Sequence, residues 1–184
     1  MGERSTNLSL QHLRPGQERG ASDLVMRSYR AATTTDDSAE GVEEFTRYAS
    51  AASIGSRMSE GSIVVMALFG AVAIGVVEVR SPGHIGLLFI CPDHQGRGVG
   101  RSLCETAFEA AAQMLPRPRK VTVKSAPGAV GFYEKLGFLV AGATTEFNGI
   151  RFVAMEREVG LQPRFAADRP APAAEHDKVG QTNR

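Results

Sequence analysis

The order of three segments constrains this chain most: an apolar run, a glycine-rich turn and a helix-like stretch. Ile85-Gly86-Leu87-Leu88-Phe89-Ile90 reads as a strand. Cys91-Pro92-Asp93-His94 turns the chain into Gln95-Gly96-Arg97-Gly98-Val99-Gly100, and Arg101-Ser102-Leu103-Cys104-Glu105-Thr106-Ala107-Phe108 follows as a helix. Glycines let backbone N–H groups approach an anion closely, and a helix start adds unpaired donors and a positive dipole end. The segment therefore predicts a site for a phosphorylated ligand.

The totals bound the rest. The chain has 184 residues, enough for one well-buried domain. A net charge of +1 provides no global basic field for nucleic acid. Cys91 and Cys104 are the two cysteines, at a spacing that fits no zinc pattern, so no metal is expected. Cys104 reads as a core residue. Cys91 lies beside the loop, where a reactive thiol is the minor reading. Sparse cysteine suits a reducing cytoplasm. The apolar stretch 63–77 is broken by Gly70 and Gly75 and is too short for a membrane span, and no signal peptide is visible.

Elsewhere the pattern predicts a strand at 8–13, a helix over about 17–30, and a polar loop at 33–38 whose Asp36 and Asp37 read as helix caps. One long second helix is expected over 39–58, with Val42, Phe45, Ala49 and Ala52 on one face. Strands at 63–69, 73–80 and 85–90, joined by short turns, predict an antiparallel meander. The helix after the glycine turn should end near Leu115, stopped by Pro116 and Pro118. A strand at 121–123 should lie parallel to 85–90, because a helix separates them. A short helix at 129–136 closed by Gly137, then strands at 138–141 and 151–157, complete a mixed α/β sheet with one parallel pair near its centre and about four helices. From residue 160 the composition turns polar and proline-containing, which predicts a tail without a core behind a domain of residues 1–159.

Which phosphate ligand fits the turn is decided by what the turn lacks. A P-loop needs lysine at its end, and Arg101-Ser102 follows Gly100. A dinucleotide fingerprint needs a third glycine, and Leu103 stands there; the next strand ends in Lys124-Ser125 rather than an acid. Gln-x-x-Gly-x-Gly is met by Gln95, Gly98 and Gly100. The segment Cys91 to Leu103 resembles the pyrophosphate-binding motif of the GNAT superfamily of acyl-CoA-dependent N-acyltransferases. Ser125-Ala126-Pro127-Gly128-Ala129-Val130-Gly131-Phe132-Tyr133-Glu134-Lys135-Leu136-Gly137-Phe138 resembles that family's second cofactor motif. The likeness in element order runs from about residue 8 to 157.

The resemblance implies a GNAT-like, mostly antiparallel sheet with a splayed parallel strand pair. It also implies acetyl transfer from acetyl-CoA to a primary amine by direct attack, and it makes a homodimer plausible. Backbone groups of Leu88, Phe89 and Ile90 would pair with the pantetheine arm. Gln95, Gly96, Arg97, Gly98, Val99, Gly100, Arg101 and Ser102 would hold the pyrophosphate, with Arg97 or Arg101 adding charge at the 3′-phosphate. Tyr133 would be the general acid for the leaving thiolate, since a phenol stays protonated at neutral pH. Ala126 stands where the family often carries Asn, which leaves a backbone contact at that position. No Glu occurs on the 85–90 strand, and Val121 occupies a second position where some members carry one. Glu78 and, after it, His84 are the base candidates, with Glu146 more remote. The alternative reading is a non-catalytic acyl-CoA-binding sensor or regulatory module. The acceptor amine is left unspecified.

Overall fold

The computed structural model describes residues 8–32, 37–114 and 117–158. Asp36, Leu115, Pro116 and the 160–184 tail lie outside the described residues. The elements are β1 (Leu8–His12), α1 (Glu18–Ala32), α2 (Ala39–Tyr48), α3 (Ala51–Ser59), β2 (Ile63–Phe69), β3 (Val72–Arg80), β4 (His84–Ile90), α4 (Val99–Gln113), β5 (Lys120–Ser125), α5 (Val130–Glu134), β6 (Leu139–Phe147) and β7 (Ile150–Glu158), with single 3-10 turns at Pro92–His94 and Pro127–Ala129.

One seven-stranded sheet runs β1-β2-β3-β4-β5-β7-β6. Every pairing is antiparallel except β4 with β5. The fold class and the central parallel pair expected from the sequence are therefore present. Alternating side chains serve two cores. Val77, Val79, Ile85, Val121 and Val123 pack with Leu103, Ala107 and Phe138 on the side of α4 and α5. Leu87 and Val76 pack with Leu24, Val25 and Ile54 on the side of α1 and α3. Cys104 is fully buried, as its place on the helix implied, and burial pushes its thiol up to about 12.

Three expectations fail. The single helix over 39–58 is two helices. Ser50 takes an extended backbone, φ −63° and ψ 150°, and its hydroxyl accepts from the Ser53 amide, so a serine that looked like mid-helix filler caps a new helix. Val42 is consequently 42% exposed rather than on a core stripe. Asp37 is not a cap either. Ser38 is, accepting from the Gly41 amide at 3.1 Å, while Asp37 accepts from the Tyr29 hydroxyl at 2.5 Å. The glycine-turn helix also starts earlier than expected, at Val99, which brings Gly100 and Arg101 into its first turn.

Candidate active site

Two local irregularities open a site at the sheet centre. First, β4 and β5 pair only at His84↔Thr122 and Ile85↔Val123 and then part. Past Ile85, the edge of β4 facing β5 has no partner strand, so Leu88, Phe89 and Ile90 border a gap that an extended ligand could pair with. Second, Val79 pairs with Ile85 and Glu78 with Leu87, so Gly86 is an extra residue on β4. Such a bulge re-aims backbone and side chains at a point next to the gap. A side chain at Gly86 would meet the Tyr48 hydroxyl at 2.6 Å, Arg80 Cδ at 3.2 Å and Glu78 Oε2 at 3.3 Å.

At the far end of the gap lies the glycine turn. Gly96 and Gly98 have φ of +70° and +84°, a conformation that favours glycine, and no atom comes within 4 Å of where a side chain would stand at either. Gly98 is the N-cap of the fifteen-residue α4, whose first-turn amides begin at Val99. The Gln95 side-chain amide donates to the Ile90 carbonyl at 3.1 Å and ties the turn to the end of β4. Gly100 serves packing: a side chain there would meet Ile90 Cδ1 and the Phe132 ring at 3.2 Å. Open glycines around a long helix start suit a pyrophosphate, and a methyl group at Gly98 would project into that space. Ala126 is exposed at the start of the turn after β5, with no side-chain cap bond.

Tyr133 sits on α5, 5% exposed, with its ring edge-on to Phe132 at 5.1 Å and Phe138 at 5.3 Å. Burial, and then the neighbouring Cys104, raise its phenol well above the ordinary value, so it carries its proton at neutral pH.

The two base candidates fall in different surroundings. Glu78 is fully buried. Arg57 Nε donates to its Oε1 at 2.7 Å and Arg57 Nη2 to its Oε2 at 2.9 Å. The remaining Arg57 nitrogen, Nη1, donates to the Tyr48 carbonyl at 2.8 Å, and the guanidinium lies 4.0 Å from the Tyr48 ring centroid. This is not the free carboxylate expected of a base. His84 is half-buried, with Nδ1 2.9 Å from the Thr122 hydroxyl. Burial first, then the charges of Arg80 and Lys124, push its imidazole down to about 4, so it is neutral at pH 7. Glu146 is exposed on β6, opposite Arg151.

Sequence reasoning missed Tyr48, Arg57, Arg80 and Gly86. Gly86 alone carried a local signal, an isolated glycine within a strand pattern. Arg57 and Glu78 are 21 residues apart, and nothing in their local sequence links them.

The fold has known relatives. Residues 33–159 match the family model described as an acetyltransferase (GNAT) domain. Peptidyl-lysine N-acetyltransferase YjaB of Escherichia coli is 42% identical over 59 residues, which span 32% of this chain and 37% of that relative. A GCN5-related N-acetyltransferase structure from Rhodopseudomonas palustris superposes with a TM-score of 0.69 at 24% identity, covering 82% of this chain and 94% of that one. PaiA N-acetyltransferase of Thermoplasma acidophilum, solved in complex with coenzyme A, gives 0.68 at 16% identity, covering 83% and 99%. No described helix is long and apolar enough to cross a membrane. The family match covers more than half of the sequence, and the chain belongs to the GNAT acetyltransferase family.

Proposed function

We propose that this protein transfers an acetyl group from acetyl-CoA to a primary amine, with both substrates bound at once. The observation that carries the reading is the gap between β4 and β5 running from the Gly86 bulge to the open glycine turn. Acetyl-CoA supplies an activated thioester. The Gly96, Gly98, Val99, Gly100 and Arg101 backbone, continuing to Ser102, holds its pyrophosphate; Arg97 and Arg101 supply charge. The β4 edge at Leu88, Phe89 and Ile90 aligns the pantetheine arm as an added strand. A backbone N–H near the bulge stabilises the oxyanion.

The amine nitrogen forms the new C–N bond as the C–S bond breaks. Tyr133 donates its phenolic proton to the departing thiolate and regains one from solvent, which receives the proton that the amine loses. Glu78 is assigned to positioning: its bond to Arg57 fixes the Tyr48 backbone and ring beside Gly86. His84, its imidazole pushed down to about 4, is a weak base that stays neutral at pH 7, and the amine's proton passes to solvent through water. The setting is cytoplasmic. A homodimer has support in the apolar side chains that β6 exposes, Leu139, Val140 and Phe147, and sedimentation at several concentrations tests it.

Release of coenzyme A thiol in the presence of an amine panel tests the assignment. Tyr133→Phe should lower kcat about 10²-fold or more with little change in KM for acetyl-CoA. Cofactor binding with no turnover on any amine would favour a sensor module, and an unchanged kcat in Tyr133→Phe would remove that phenol from the chemistry.

A further inference from the structure

The sheet face opposite α4 carries two cations that no carboxylate among the described residues pairs with. Along β3, β4 and β5, Val79, Ile85, Val121 and Val123 point into the core beneath α4. Their neighbours Glu78, Arg80, His84, Thr122 and Lys124 alternate onto the other face, where Tyr48 and Gly86 meet. Glu78 is consumed by Arg57. Arg80 and Lys124 have no salt bridge to a carboxylate among the described residues. Arg80 lies beside Gly86 with the Tyr48 hydroxyl, a neutral neighbour. Lys124 Nζ stands 4.6 Å from the centroid of Phe152 and 5.5 Å from that of Phe147, again without an anion. His84 lies within the field of both cations. On this face Arg57 is paired with Glu78 and Lys120 with Glu156, whereas Arg80 and Lys124 are each left without a carboxylate partner.

We infer that this face selects an amine acceptor that also carries a carboxylate, held between Arg80 and Lys124 while its amino group lies over Gly86. The inference rests on the acyl-transfer reading and narrows its acceptor to small amino acids. A half-buried guanidinium offers a planar fork of donors that matches a carboxylate, and the Phe147 and Phe152 rings beside Lys124 hold the ammonium in place for the same anion. An amine lacking the acid would leave both cations without an anion.

The test uses ω-amino acids of increasing length, each paired with its primary amide, and the full-length protein. kcat/KM is read from coenzyme A thiol release. The acid should be preferred over its amide about tenfold or more at the best length, as expected for charge-assisted bonds. Arg80→Gln and Lys124→Gln should each shrink that ratio several-fold, with KM for acetyl-CoA unchanged. A lysine peptide with a neighbouring Asp, paired with its Asn counterpart, distinguishes a peptide acceptor from a small one. Independently of turnover, the His84 imidazole followed by NMR should titrate at higher pH when an ω-amino acid is bound, because the anion offsets the two cations. Equal use of acid and amide, a preference surviving both substitutions, or a preference confined to the peptide pair overturns the inference. No thiol release from any acceptor overturns acyl transfer itself, and the His84 titration then still decides the anion site.

Discussion

At the scale of single residues, the Arg57–Glu78 pair carries the largest stake. Glu78 is fully buried and Arg57 8% exposed, so each charge depends on the other for compensation. Two donors reach the carboxylate and the third anchors the Tyr48 carbonyl, which leaves no nitrogen of Arg57 idle. Glu78→Ala should lower unfolding free energy by about 3–5 kcal/mol, because it strands a buried guanidinium. The double replacement Glu78→Leu with Arg57→Met should recover most of that loss in chemical denaturation. If the double variant is as unstable as the single, the loss comes from packing and not from an orphaned charge. The pair also bears on the reading of Glu78 as a base candidate. Glu78 lies on a strand bordering the site and carries the right chemistry for a base, so the sequence pointed to it. Its partner comes from a helix 21 residues away, a contact that only the folded chain creates.

At the scale of elements, the junction of α2 with the β6–β7 turn is built on two glycines. Gly149 has φ +74°, its carbonyl accepts from the Ser38 amide, and a side chain at Gly41 would collide with that carbonyl oxygen. Alanine at Gly41 gains helix propensity of about 1 kcal/mol but meets backbone that cannot rotate away. Gly41→Ala should therefore destabilise, by about 1–3 kcal/mol. Gly55 in α3 is the control: a side chain there meets the Glu18 side chain at 3.6 Å, an ordinary contact. Gly55→Ala should stabilise by about 0.5–1 kcal/mol. Thermal unfolding of the two variants should shift in opposite directions, and a shared direction would reject the close-approach account of Gly41. The elements that bear on donor binding were legible in advance, since turn glycines, strand alternation and the closing Gly137, φ +84°, are local signals. The break at Ser50 was not legible, because a serine among alanines fits a helix interior as readily as a cap.

At the scale of the molecule, one sheet separates two tasks. On the proposed reading, the β4–β5 gap and the α4 start take the acyl donor, and the opposite face, with Tyr48, Arg80, His84 and Lys124, takes the acceptor. The candidate donor half was legible as a candidate because a phosphate cradle requires particular backbone conformations and hence glycines at fixed spacing. The acceptor half was not, because its side chains come from α2, β3, β4 and β5 and share no spacing. His84 reports on that half. Its imidazole is held near pKa 4 in the folded chain against an ordinary 6.5. The unfolded chain then binds more protons between those values, so this contribution to stability is complete above pH 6.5 and is lost as pH falls toward 4. Urea denaturation should show wild type losing stability across that window faster than His84→Gln. Parallel curves would mean that His84 titrates normally.

The central claim, that the glycine turn and the β4–β5 gap bind the acyl donor, is tested most directly by calorimetric titration of acetyl-CoA into wild type and Gly98→Asp. Gly98 has φ +84° and open space around it, and Asp enters that conformation more readily than most residues, so the fold should survive. The carboxylate would meet the pyrophosphate. Saturable binding to wild type and none to a folded Gly98→Asp is the predicted result; undiminished affinity in the variant would contradict the account.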